Sequence, residues 1–220
     1  MSIPTDGSNA ENQMLTATHL ETARLLLRPF THDDVDSMFA IIGDPVTMQY
    51  YPCAFSREDA LEWIERNLKR YKNDGHGLMA MVLKSNSEMI GDCGIARQNV
   101  EGEIMLEVGY HLRRDCWGHG YATEAARACM GYAFRELGAA RVVSLIRPEN
   151  VPSRRVAERN GMSVERQVMH AELPHLLYVA TSVIGKCGEG GNQGVSERAG
   201  TQDRFDCKLM AGFSENHGQA

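Results

Sequence analysis

A chain of 220 residues with 43% hydrophobic and 24% charged side chains reads as globular and can bury a full core in one domain. Its formal charge of -6 supplies no bulk basic field, which argues against a nucleic-acid partner. No apolar run is long enough to span a bilayer, and the first residues lack the cationic start and apolar middle of a signal peptide, so a cytoplasmic protein with no membrane partner is expected.

In chain order, residues 1–20 read as a polar leader, 21–185 as one α/β domain and 186–220 as a tail. "RLLLRPF" (24–30) is a short strand stopped by Pro29. Thr31 and Asp34 are spaced like a variant capping box, and Val35, Met38, Phe39 and Ile42 follow at helical spacing. Ser56 and Asp59 repeat the start signal before a helix whose apolar stripe reads as Leu61, Ile64 and Leu68. Three strands, 77–84, 89–98 and 103–112, are separated by the turn compositions "SNSE" and "NVEG" and suggest an antiparallel meander. A helix then runs from about Gly120 to Leu137, with Ala125, Ala126, Cys129, Met130 and Ala133 on one side. "RVVSLIR" (141–147) is a β-branched strand. A short helix ends at Asn160-Gly161, and 163–170 with 175–185 form a terminal pair of strands.

Beyond Lys186 the composition is Gly-rich and polar without a sustained apolar period, which predicts disorder. Gly185-Lys186-Cys187 imitates part of a phosphate loop but lacks the following Ser or Thr. Cys53, Cys93, Cys116, Cys129, Cys187 and Cys207 form no C-x-x-C pair, so neither a disulfide nor a metal site is expected. His170 and His175, flanking a turn, read as surface histidines.

The segment "DCWGHGYATEAA" (115–126) carries the chemistry. Gly118 and Gly120 precede a helix that has no Ser, Asp or Asn in the capping place, so its first N–H groups await another acceptor. Glycines there let an anion approach the amides, and a phosphate fits that description. Two alternatives fail. The third position after Gly120 is Thr123 and the next strand ends in Arg147, which departs from the dinucleotide fingerprint, and no Gly-Lys-Ser/Thr is present for a Walker loop.

The run from Trp117 to Ala122 resembles the Q/R-x-x-G-x-G/A acetyl-CoA signature of the GNAT acetyltransferases. "W-G-x-G-Y-A-T-E-A" is similar to the form used by the branch that includes the ribosomal-protein-alanine N-acetyltransferases. "LEVGYHL" before the turn and "RPENVPSRRVAERNGM" after the next strand match in the same order, and the resemblance spans about residues 21–184. The first signature position departs from the general pattern, because Trp117 stands where Gln or Arg is usual.

The resemblance implies an α/β (α+β) fold: a mixed, mostly antiparallel, strongly twisted central sheet of six or seven strands flanked by about four helices. It implies an N-acetyltransferase that moves the acetyl group of acetyl-CoA to a primary amine by direct attack in a ternary complex. The acceptor would be a protein N-terminus or a small amine, and a homodimer is compatible with it. A non-catalytic acetyl-CoA sensor is the alternative.

The cofactor would lie along Tyr110, His111 and Leu112, where the strand splays from its neighbour. Its pyrophosphate would meet the amides of Trp117, Gly118, His119, Gly120, Tyr121 and Ala122, with Thr123 next to them and Asn150 and Ser153 beside the arm. Gly109 is compatible with a bulge in that strand. Glu107 is the candidate base, since a carboxylate among Leu106, Val108 and Tyr110 is open to desolvation. Asn150 completes the candidate catalytic set with Ser153 and Tyr178, either of which could protonate the thiolate; Ser153 could instead cap its helix and Tyr178 could pack in the sheet. Tyr50, Tyr51 and Phe55 are candidates to line an acceptor groove. Cys116 lacks the partners of a nucleophile, and Arg113, Arg114, Arg154 and Arg155 are second-rank phosphate ligands.

Overall fold

The computed structural model describes residues 19–182, so the tail and all but the end of the leader lie outside the described residues. Eight strands form one sheet in the order β1-β2-β3-β4-β5-β6-β8-β7. They are β1 (Leu20–Glu21), β2 (Leu25–Arg28), β3 (Leu78–Leu83), β4 (Met89–Val100), β5 (Glu103–Leu112), β6 (Arg141–Ile146), β7 (Ser163–His170) and β8 (Leu173–Thr181). The helices are α1 (Val35–Ile42), α2 (Arg57–Asp74), α3 (Tyr121–Arg135) and α4 (Val151–Arg159). Every pairing is antiparallel except β5 with β6. The strand beyond the expected seven is β1, a two-residue piece paired with β2 and too short to show an apolar period.

Both capping boxes form. The Thr31 N–H donates to Asp34 at 2.8 Å, and Ser56 and Asp59 exchange bonds of 2.7 and 3.2 Å. The apolar stripes sit differently from the reading above. In α1 Ile41 is buried while Phe39 is 37% exposed, and in α2 the inward row is Ala60, Trp63, Ile64, Asn67 and Tyr71 while Leu61 is 39% exposed. Asn67 explains the shift in α2. Its carbonyl oxygen accepts the Leu78 N–H at 2.9 Å and its amide donates to the Trp63 carbonyl at 3.0 Å, so a polar residue is satisfied inside and the row turns with it.

Alternation along β3 divides the core. Leu78, Ala80 and Val82 pack with Met38, Ile41, Ile42 and Ile64 on the α1/α2 face. Met79 and Met81 pack on the opposite face with Cys93, Val108, Ala125, Ala126 and Cys129 beneath α3. The small residues Ala125, Ala126, Cys129 and Ala133 on α3 let it lie close to the sheet. Cys93 and Cys129 face each other there as free thiols with sulfurs 3.6 Å apart.

Gly94 marks the tightest approach, because a Cβ there would stand 2.1 Å from the Gly77 carbonyl oxygen and 2.6 Å from the Leu78 Cα. Both are backbone atoms, so Gly94→Ala forces β3 from β4 and should cost about 3 kcal/mol in denaturant unfolding. Gly109, paired opposite it in unbroken register, shows no bulge, and a Cβ there meets only the Leu78 side chain at 3.5 Å. Gly109→Ala is the matched control and should leave the unfolding midpoint nearly unchanged.

Candidate active site

The parallel pair β5/β6 is irregular. A single registered pair, Glu107 with Val143, joins the two strands before they diverge. Past it, the Ser144 hydroxyl donates to the Val108 carbonyl at 3.1 Å in place of a ladder bond. Alternation turns the N–H of Tyr110 and Leu112 the same way, into the gap. The Arg113 N–H donates to Ile90 and the His111 N–H to the Asp92 carboxylate at 2.9 Å, so the odd residues face β4. Of the three residues expected along the cofactor, Tyr110 and Leu112 therefore turn their N–H groups to the gap and His111 does not.

At the end of β5 the chain enters a 3-10 turn, Arg114–Cys116, and then the glycine turn. Gly118 and Gly120 adopt left-handed φ values of 80° and 81°, and α3 starts with no side-chain cap. The first bond of the helix runs from the Glu124 N–H to the Gly120 carbonyl at 3.0 Å, which leaves the amides of Tyr121, Ala122 and Thr123 without an intrahelical acceptor. A Cβ on Gly118 would meet nothing within 4 Å. Such a bare nest of amides at a helix N-terminus suits a pyrophosphate. Trp117 is a correction: its N–H is already given to the Arg114 carbonyl at 3.2 Å, and its indole donates to the Leu112 carbonyl at 2.8 Å. The nest thus begins at Gly118, with Trp117 bracing the turn.

Arg24 is a support that sequence reasoning missed. Its guanidinium pairs with Glu124 at 2.6 Å, donates to the His119 carbonyl at 2.9 Å and lies 4.4 Å above the Tyr121 ring. Of the four arginines proposed for phosphate, Arg155 lines the cleft, together with Arg127 and Arg159. Arg113 is tied to Glu88 and Asp115, and Arg154 to Tyr178 and the Pro148 carbonyl.

A cleft of about 1320 Å³ joins the nest and the gap to a chamber on the α1/α2 side, more space than one small molecule usually fills. Asn150 and Ser153 border it. Asn150 caps α4 by accepting the Ser153 N–H at 3.1 Å, so the cap is Asn150 and not Ser153. The Tyr110 hydroxyl donates to the Ser153 carbonyl at 3.0 Å, bringing β5 and α4 together beside the gap.

Tyr178 is a second correction. It is 1% exposed behind α4, donates to Glu158 at 2.9 Å and accepts from Arg154 at 3.2 Å, and does not line the cleft. Tyr178→Phe should leave kcat nearly unchanged and lower stability by about 1 kcal/mol, read from thermal unfolding. Cys116 is buried, which raises its thiol pKa, with Asp115 adding to the effect; this opposes thiolate chemistry. His170 and His175 are half-buried rather than on the surface, stand 5.5 Å apart across the turn and line the chamber, where burial lowers the His175 pKa.

Glu107 points into this chamber at the point where the strands part. Burial pushes its carboxyl up to about 7, against the Leu145 N–H bond at 3.1 Å and the charge of Arg70. Nearby, the fully buried Asp92 accepts from the Trp63 indole and from the His111 Nδ1, both at 2.9 Å. The His111 Nε2 meets the Tyr51 hydroxyl at 2.8 Å. Tyr51, Phe55 and Trp63 form the aromatic wall around that imidazole.

The splayed parallel pair opening on a glycine nest is the arrangement that the resemblance to the GNAT acetyltransferases implies, and the comparisons agree. Residues 24–163 match the family model described as "Acetyltransferase (GNAT) domain". The chain is 36% identical over 166 residues to the uncharacterized protein YkkB of Bacillus subtilis, covering 75% of this chain and 96% of that one. It is 32% identical over 148 residues to the uncharacterized N-acetyltransferase YnaD of the same organism, covering 67% and 84%. The ribosomal-protein-S5-alanine acetyltransferase of Vibrio fischeri shares the fold, with a TM-score of 0.56 at 16% identity over 74% of this chain and 96% of that one. The chain belongs to the GNAT family and is an acetyl-CoA-dependent N-acetyltransferase. No helix among the described residues is long and apolar enough to cross a membrane.

Proposed function

We propose that this enzyme acetylates a primary amine, a protein N-terminus or a small molecule, by direct attack within a ternary complex. The observation that carries the reading is Glu107: a carboxyl raised to about 7, at the mouth of the gap where a thioester would end. A base in that range is unprotonated often enough at neutral pH to accept a proton from an incoming ammonium and strong enough to hold it.

When bound, acetyl-CoA supplies an acetyl group activated as a thioester. Its pyrophosphate would be held by the amides from Gly118 to Thr123, with Arg155 and Arg127 near by, and its arm would lie against Tyr110, Leu112 and Asn150. The Tyr110 N–H is placed to polarise a carbonyl in the gap. Of the two candidate acids, Ser153 borders the cleft and is retained, whereas Tyr178 is not. A homodimer is part of the same proposal. The acceptor would enter over Tyr50, Tyr51 and Phe55, which line the chamber side of the cleft.

Thiol release from acetyl-CoA, followed with alanine- and serine-initiated peptides, spermidine, phenethylamine, free amino acids and kanamycin, tests this reading. Turnover with one class and not the others identifies the acceptor. Tight binding of acetyl-CoA with no release for any amine would favour the sensor instead.

A further inference from the structure

The buried Asp92 stands outside the proposed chemistry, yet its carboxylate accepts three bonds, one each from the His111 Nδ1, the His111 backbone N–H and the Trp63 indole. We infer that Asp92, His111 and Tyr51 form a proton relay that ends in the acceptor chamber, with the Tyr51 oxygen as the group that touches the acceptor amine. This inference rests on the acetyltransfer reading above and adds a second proton acceptor to it.

The bond directions follow from the donor and acceptor inventory. An ionised Asp92 only accepts, and its Oδ1 takes the His111 N–H and the His111 Nδ1, while its Oδ2 takes the Trp63 indole N–H. Nδ1 therefore carries the proton, and in the neutral ring Nε2 has a lone pair. The Tyr51 O–H, 2.8 Å away, must donate to it. That leaves the lone pairs of the Tyr51 oxygen facing the chamber, and its hydroxyl is near enough to Glu107 and Asp92 for both carboxylates, after burial, to raise its pKa. Tyr51 thus presents to the chamber an acceptor and no donor, which suits an ammonium.

The reaction sheds two N–H protons from an ammonium, one before attack and one as the amide forms, so two acceptors have work to do. In the relay, an amine N–H bond breaks as its proton moves to the Tyr51 oxygen, while the Tyr51 O–H bond breaks and a new bond forms at His111 Nε2. Tyr51 ends as it began, and the added proton rests on an imidazolium beside Asp92. Groups facing the ring are Asp92 from β4, Tyr51 from the loop before α2, Trp63 from α2 with ring centroids 5.0 Å apart, and Glu107 from the same strand, with Arg70 of α2 acting on Glu107. His111 and Asp92 are positioning residues that act through Tyr51.

Tyr51→Phe is the direct test, because it removes one oxygen and keeps the ring that meets Phe55 and His111. With whichever panel amine is turned over, kcat should fall about 100-fold while the acetyl-CoA dissociation constant, measured by calorimetry, stays put. His111→Gln should fall similarly, and the double variant should be no slower than either single one, since both break one chain. An unchanged kcat in Tyr51→Phe, or additive losses in the double variant, overturns the relay while leaving the acetyltransferase reading intact. If the wild-type enzyme acetylates no amine in the panel, that reading fails and the relay is judged on the ring itself. Nitrogen-15 NMR of His111 should then show a protonated Nδ1 and a bare Nε2 whose resonance moves in Tyr51→Phe; a protonated Nε2 overturns it.

Discussion

Glu107→Gln should lower kcat about 100-fold or more while leaving acetyl-CoA affinity within roughly twofold of wild type, because the change removes a proton acceptor and touches no part of the nest. In the wild-type enzyme kcat/KM should rise with pH through about 7, the range to which burial lifts this carboxyl, and the variant should lose that limb. Stability should move the opposite way. A carboxyl whose folded pKa lies above its ordinary 4.5 binds its proton more tightly when folded, so its favourable contribution is present below that value and is lost as pH rises through about 7. At pH 8 the buried charge therefore works against folding, and the neutral amide removes it while its carbonyl still accepts the Leu145 N–H. The variant should be inactive yet melt a few degrees higher at pH 8, with the gain vanishing near pH 5. A lower melting temperature together with retained activity would mark Glu107 as a structural bridge between β5 and β6 instead.

The parts of this molecule that were legible in the sequence are those in which neighbours along the chain decide the outcome. Thr31 with Asp34, Ser56 with Asp59, and the glycines at 118 and 120 each answer a local backbone need within one turn, and each appears in the structure as the sequence suggested. The splay over Tyr110 to Leu112 was implied by the family resemblance, and β5 and β6 share a single registered pair, Glu107 with Val143, before those residues. The face of α2 was misread because Asn67 goes inward to serve Leu78, 11 residues later, and hydropathy gives no credit for a bond made in the folded state. Tyr178 alternates correctly for a core strand, but nothing local reveals that α4 covers it. The relay is the extreme case. Tyr51 and His111 are 60 residues apart and Asp92 is 19 from His111, so no spacing rule links them; Tyr51 read as groove lining and His111 as a cofactor contact, and nothing local joined either to Asp92.

Gly120→Val should weaken acetyl-CoA binding by at least about tenfold, and the reason separates the nest from ordinary turn stability. A β-branched side chain at a φ of 81° is disfavoured by roughly 1–2 kcal/mol, so the free protein relaxes the turn and binding must restore it, a cost equal to about 5- to 30-fold in affinity. Re-aimed amides from Gly118 to Thr123 add to that loss, while the Cβ itself meets the Arg24 guanidinium only at an ordinary contact distance of 3.6 Å. A ligand stabilises the folded state in proportion to the logarithm of its concentration over its dissociation constant, so the melting shift produced by acetyl-CoA should shrink in the variant while the ligand-free protein melts only slightly earlier. Gly102→Val supplies the comparison. Gly102 has a φ of 94° and open space around its missing Cβ, but it lies in the β4–β5 hairpin and does not line the cleft. Both substitutions strain a left-handed residue, so both should lower the melting temperature of the free protein, and only the change at Gly120 should cost acetyl-CoA affinity. Equal affinities in the two variants would mean that the amides at the start of α3 do not hold the pyrophosphate, and the binding geometry would have to be rebuilt from the arginines along α3 and α4.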